Sequence, residues 1–261
     1  VDPAPLHRRT ISAWGTIITI DVVSDVVVES IVDTTTRAIA QDVDYIFSTW
    51  RDDSVISHRR RGLDTESDIF DAVLRKCERA KEISEGAYDP WMAPGGLDLS
   101  GFVKGWAAAR MADALVALGY PNVCVNAAGD LAARGERRPG TGWMVGVAHP
   151  FEPQQVCARV AVPLVGGSAA TSGFSEQTGH IVNPRTGRDD TAAVQATVIG
   201  PEGGLADALA TGLLIDGLSG AQWFADFAAA RTHEQWRAIV IQDGTLWRLG
   251  GRDSGSGTKP L

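Results

Sequence analysis

Two hydrophobic periods alternate along this chain. "TIITIDVV", residues 16–23, is β-branched and predicts a strand. Over residues 27–50, Val28, Ile31, Val32, Ala38, Ile39, Val43, Ile46 and Phe47 recur at helical spacing and predict a first helix. Residues 67–85 predict a second, ended by "EGAYDP", and residues 103–119 a third, stopped by Gly119 and Pro121. "LADALATGLLIDG" predicts a fourth. "NVCVNAAGDLAARG" reads as a strand running into a Gly-Asp turn; "GWMVGVAHP", "VCARVAVPLVGGSAATSG" and "AAVQATVIG" supply more strands. "WRAIVIQDGTLWRLGG" reads as a hairpin around Asp-Gly. "TWRDDSVISHRRRGLDT" reads as a polar loop with a basic cluster at Arg59–Arg61.

Strands come in pairs as well as alternating with helices. That predicts an α+β fold with mixed sheets and packed helices rather than a doubly wound parallel sheet. No internal repeat or Pro- or Ser-rich linker divides the chain, so residues 1–261 are read as one unit, with 1–10 and 252–261 as tails.

Composition narrows the function. With 44% hydrophobic and 21% charged residues the chain is globular rather than disordered. A net charge of −8 argues against sequence-independent nucleic-acid binding. No apolar run is long enough to span a membrane. "VDPAPLHRRT" has no apolar core of an export signal, so the cytoplasm is the expected compartment. Cys77, Cys124 and Cys157 lie far apart without metal-type spacing and are expected as buried apolar residues, not as a disulfide framework.

"DLSGFVKGW", residues 98–106, poses the chemical question. An acid, a bare Gly and a lysine stand at the start of a helix. Lys104 and exposed N–H groups there can hold an anion, or the run is an ordinary cap. Asp98 can accept hydrogen bonds from a ring or a ribose. In "ADALATG", Asp207 and Thr211 are four apart and share a helix face, a carboxylate and hydroxyl suited to a hard cation; Asp207 as a simple helix-dipole partner stays open. His180 in "GHIVNPRTG" stands beside a turn and is a candidate base near neutral pH, or a half-exposed strand histidine. Asn183 and Pro184 read as turn formers. "ATSG", residues 170–173, can approach a phosphate through backbone N–H groups. Asp130 in "NAAGD" follows a strand and a tight turn, as a structural residue or as an orienter or second acid. A cation site, an anion site and a histidine in one chain suggest chemistry on a polyphosphate.

In this order, "WGTIITIDV", "DLSGFVKGWAAARMADALVALGY", "NAAGDLAARG", "AATSGF", "GHIVNPRTGRD" and "TVIGPEGGLADALATGLLIDG" resemble the ApbE family of FAD:protein FMN transferases, from about Trp14 to Gly217. The resemblance implies an α+β, two-lobed fold with FAD in a groove. It also implies Mg²⁺ as cofactor, FAD as substrate and a target protein with an acceptor Thr as partner. FMN passes through its phosphate to that Thr, and AMP leaves; some members instead hydrolyse FAD to FMN and AMP. A flavin-binding protein without turnover is the remaining alternative.

By motif, the resemblance makes Asp207 and Thr211 metal ligands, with Gly101 giving a backbone carbonyl. Asp98, Lys104, Trp14, Trp50, Ala87, Tyr88, Asp89 and Ile181 become FAD contacts. His180 becomes the base next to the flavin phosphate, and Lys104 a second catalytic group. The chain departs from the family in four places. Trp14 replaces a Met; "HRRRG" replaces a Leu-Asn; "TSGFSEQTGH" is short and lacks a Tyr; no lipoprotein cysteine is present. These changes bear more on the target and on transfer than on FAD binding.

Overall fold

The computed structural model describes residues 4–163, 166–173 and 181–250, and the backbone of 259–260. One sheet runs through the molecule. In chain order its strands are β1 (Leu6–Ala13), β2 (Thr16–Val23), β3 (Val123–Ala127), β4 (Asp130–Arg134), β7 (Gly167–Gly173), β8 (Gln195–Gly200), β9 (Arg237–Gln242), β10 (Thr245–Leu249) and β11 (Lys259–Pro260), which lie side by side in that same order. A small second sheet pairs β5 (Met144–Ala148) with β6 (Val156–Ala161). Every pairing among the described strands is antiparallel. The class is α+β, as the pairing of strands in the sequence implies.

Alternation along the strands assigns the two faces. In β9, Ala238 and Val240 join a helix-side core with Phe102, Leu209 and Phe224, while Ile239 and Ile241 join another with Trp143, Val147 and Val160 of the small sheet region. Both faces are covered, which is why "RAIVIQ" is nearly continuously apolar. The helices are α1 (Glu29–Phe47), α2 (Val55–Arg60), α3 (Asp68–Ile83), α4 (Ser100–Ala117), α5 (Gly203–Asp216) and α6 (Ala221–Ala229).

Four elements differ from the sequence reading. Residues 6–10, expected within a tail, begin β1, an edge strand in which only Ile11 is fully buried, so its polar run hides the strand. Residues 259–260 of the other expected tail pair with β10. Within the expected polar loop, Ser54 caps the six-residue α2 by accepting the Ser57 N–H at 3.1 Å. Helix α6 buries Trp223, Phe224 and Phe227. The "NAAGD" segment is a hairpin turn joining two strands, with Ala128 and Gly129 both at positive φ (55° and 95°). Of the cysteines, Cys77 is buried while Cys124 and Cys157 are half-buried, and all three are free thiols.

Helices α4 and α5 cross closely on the sheet. A Cβ on Gly105 would collide with the Gly203 carbonyl oxygen, and one on Gly203 with that of Gly105; a Cβ on Gly204 would strike the Phe102 ring. Glycine at these positions lets the two backbones touch. The crossing sets which residues face each other: Gly105 lies against Gly203 and Asp207, and Gly101 against Thr211.

Candidate active site

A cleft with about 770 Å³ of empty space, open to solvent, lies at the N-terminal end of α4 where α5, β7 and two loops meet. Gly101, Lys104, Asp207 and Thr211 line it. So do Ala87, Tyr88, Asp89, Asp98 and Ile181. These nine predicted residues come from four separate stretches of sequence.

Helix α4 starts at Ser100, before the expected 103, and is not regular there. Gly101 has φ −76° and ψ 17°. That ψ turns its carbonyl by about 60° from the helical direction. Asp98 stands just before the helix and accepts the Ser100 N–H at 2.8 Å, so it supports the helix start as well as lining the cleft. Its other carboxylate oxygen lies 3.8 Å from Arg60, whose Nε donates to the Leu97 carbonyl at 2.6 Å. Asp89 is held by Lys81 at 2.6 Å and accepts the Trp91 N–H at 2.9 Å. Tyr88 presents a buried ring beside Gly101, and burial holds its phenol well above its usual pKa. Burial likewise pushes the nearby Cys77 thiol up to about 12, which leaves it unreactive.

Asp207 is 3% exposed, and its Oδ2 accepts the Gly105 N–H across the helix crossing at 3.3 Å. Thr211 shares a hydroxyl–hydroxyl hydrogen bond of 3.1 Å with Ser172. A Cβ on Gly101 would sit 3.5 Å from the Thr211 oxygen and 3.4 Å from the Tyr88 ring, so a bare glycine leaves a small space beside that hydroxyl. The Asp207 carboxylate, the Thr211 hydroxyl and the Gly101 carbonyl are hard oxygens on residues that line one cleft, the donor type that a hard divalent cation takes. Among the described residues no group of three or more His, Cys, Asp and Glu could hold a metal, so a thiolate or imidazole cage has no counterpart there.

Lys104 reaches the cleft from the second turn of α4, and its Nζ lies 3.0 Å from Asp130. Asp130 is fully buried. Burial raises its pKa above the usual carboxylate value; Lys104 and the Thr171 N–H, 3.3 Å from its Oδ1, oppose that rise.

Other predicted residues fall elsewhere. Trp14 occupies the tip of the β1–β2 hairpin at φ 54°, with its indole N–H on the Ala40 carbonyl at 3.1 Å; it packs on the core and does not line the cleft. Trp50 follows α1, is 95% exposed and does not line the cleft either. His180 lies outside the described residues.

The sequence reading missed Pro90, Ala93, Ser100 and Val182 as lining residues, read Pro184 as a turn former, and offered Ser172 and Gly173 only as part of a turn that could approach a phosphate. Residues 171–173 are the end of strand β7, not a turn, so Ser172 enters the cleft as an edge of the sheet. Pro184 belongs to a loop closed by the Asn183 N–H on the Arg188 carbonyl (2.7 Å) and fastened to α5 by the Arg185–Asp216 ion pair.

Comparison with known proteins places this fold and then this chain. The fold is that of two solved structures. Flavin transferase ApbE from Vibrio cholerae superposes with a TM-score of 0.80 at 21% identity, over 96% of this chain and 98% of that one. Flavinyl transferase ApbE from Pseudomonas stutzeri gives 0.77 at 19% identity, over 97% and 96%. The ApbE family model matches residues 93–234, more than half of the sequence, and the chain belongs to the ApbE family. Among curated relatives, a FAD:protein FMN transferase of Vibrio cholerae is 35% identical over 131 residues, 46% of this chain and 39% of the relative. One from Rhodobacter capsulatus is 33% identical over 171 residues, 61% of this chain and 29% of the relative. The matched part thus spans about two fifths or less of those relatives.

Proposed function

We propose that this chain is an Mg²⁺-dependent flavin transferase. It takes FAD into the cleft, attaches FMN through its phosphate to a Thr hydroxyl of a target protein, and releases AMP. The reading is carried by one observation: Gly101, Lys104, Asp207 and Thr211 share one cleft at the start of α4. Family membership and the names of the relatives support it.

Asp207, Thr211 and the Gly101 carbonyl would hold the cation; when bound, it would offset the charge of the two phosphates and of the departing oxygen. Lys104 and the start of α4 add positive potential on the same side. Asp89, Asp98, Tyr88 and Ile181 would hold the dinucleotide and so orient its pyrophosphate. In the transfer, the bond between the FMN phosphorus and the bridging oxygen breaks, and a bond from the Thr oxygen to that phosphorus forms. The Thr proton passes to a base, the role we give His180, and AMP leaves with the bridging oxygen. Positioned general bases add roughly 10²- to 10⁴-fold.

The test is incubation with FAD and Mg²⁺, with and without a Thr-containing acceptor peptide, followed by mass spectrometry. An FMN-sized gain on the peptide with AMP release, lost in Asp207→Ala, is the expected result. AMP and free FMN without peptide labelling would instead make it a FAD pyrophosphatase, and bound FAD without turnover a flavin-binding protein.

A further inference from the structure

Asp130 is a fully buried carboxylate to which the proposed transfer gives no direct part. It opens β4 immediately after the Ala128–Gly129 turn, and the Gly129 N–H is itself tied to Asn126 Oδ1 at 2.8 Å. Its neighbours along the strand are apolar: Leu131, Ala132 and Ala133. A carboxylate there is costly, and a packed apolar side chain of similar size would generally be at least as stabilising. What the carboxylate touches is informative. One oxygen takes the Thr171 N–H from the adjacent strand, and the other faces the Lys104 ammonium at 3.0 Å.

Lys104 carries its charge on a four-carbon stem that is one-third exposed in the cleft. Left to itself such a stem samples many rotamers, and ordering it costs entropy. Asp130 comes from the middle of a sheet and is fixed by a turn and a cross-strand bond, so it offers a rigid point of attachment. The same two elements provide a contrast at their other end. Arg134 of β4 pairs with Asp113 of α4 at 2.7 Å, but Asp113 is 63% exposed and neither residue lines the cleft. Among the described residues, two ion pairs join α4 to β4, and the buried one points its cation at the site.

We propose that Asp130 is a positioning residue: it holds the Lys104 ammonium over the cleft so that the charge meets the pyrophosphate of the substrate. This rests on the reading of the cleft as a FAD site, and it adds a residue that acts only through Lys104.

A double-mutant cycle tests it. FAD affinity is measured by flavin fluorescence, in Mg²⁺, for wild type, Asp130→Asn, Lys104→Gln, the double variant and Asp113→Asn. Circular dichroism checks the fold of each. Asp130→Asn is expected to weaken FAD binding about tenfold, the scale of one charge-assisted contact. Lys104→Gln should weaken it at least as much, and the double variant no further than Lys104→Gln. Asp113→Asn should bind as wild type does. If Asp130→Asn does not fold, Asp130→Ser, smaller and neutral, replaces it in the cycle. Unchanged binding in the Asp130 variant, or a loss that adds in full to that of Lys104→Gln, overturns the inference while leaving the cleft reading intact. A wild-type chain that binds no FAD overturns both.

Discussion

The seam between α4 and α5 and the flank built by β1, β2 and α1 solve different problems with charge and size. On the flank, Arg8 pairs with Asp21 at 2.7 Å, and Arg9 with Asp33 at 2.8 Å and Glu29 at 2.6 Å, each pair partly in contact with solvent. Apolar residues there follow ordinary periods: Ile18, Ile20 and Val22 point inward from β2, and Ile17 is 62% exposed. At the seam, glycines replace side chains at the crossing and Asp207 is buried, as is Asp130 on β4, which pairs with Lys104 of α4. The flank tolerates change because water can take over what a substitution removes. At the seam an added atom meets backbone, and a lost charge leaves its partner in a poor solvent.

The sharpest way to break this contrast is Asp207→Ala. Removal of a buried carboxylate aimed at the cleft should lower FMN transfer by on the order of 10³-fold, read by AMP release. Next comes Gly203→Val, which forces side-chain atoms onto the Gly105 carbonyl and should cost about 3 kcal/mol in denaturant unfolding, whereas Ile17→Val on the flank should change stability by less than about 0.5 kcal/mol. Ser172→Ala removes the partner of the Thr211 hydroxyl and should weaken the Mg²⁺ dependence of transfer by about tenfold, measured by metal titration.

Acid stability separates the regions by sign. The Arg9 hydrogen bond holds the Asp33 carboxyl below its ordinary value of 3.8. Its contribution is therefore present above that value and is lost as pH falls through the depressed folded-state pKa. Burial raises the Asp130 carboxyl, so the folded state takes up its proton at higher pH than the unfolded chain does. Its contribution grows as pH falls through the raised folded-state pKa and levels off below 3.8. Unfolding curves from neutral pH to pH 3 should show Asp33→Asn losing less stability on acidification than wild type, and Asp130→Asn losing more. At neutral pH, Asp33→Asn should move Tm by no more than about 2 °C.

The sequence made α1 and α3 legible because each buries one face, which writes the period directly; α5 and β9 are buried nearly all round and show instead as apolar runs, β9 closed by its Asp-Gly turn. It hid β1, whose outward side chains are polar, and α2, which is too short to show a period. The site was legible only as short motifs. Gly101, Asp207 and Thr211 are more than a hundred residues apart at the extremes, and only the glycine crossing of α4 and α5 brings them together. Trp14 and Trp50 show the converse, since a motif position fixed neither ring in the cleft. Asp130 carried a usable signal, an acid inside "NAAGDLAA", but its partner lies on another element.

The most direct test of the cleft as a joint dinucleotide and cation site is calorimetric titration of FAD into the wild-type chain and Asp207→Ala, each with and without Mg²⁺. The account predicts one FAD per chain, bound more tightly with Mg²⁺ in wild type, and no Mg²⁺ enhancement in Asp207→Ala. Equal affinity in all four titrations would contradict it.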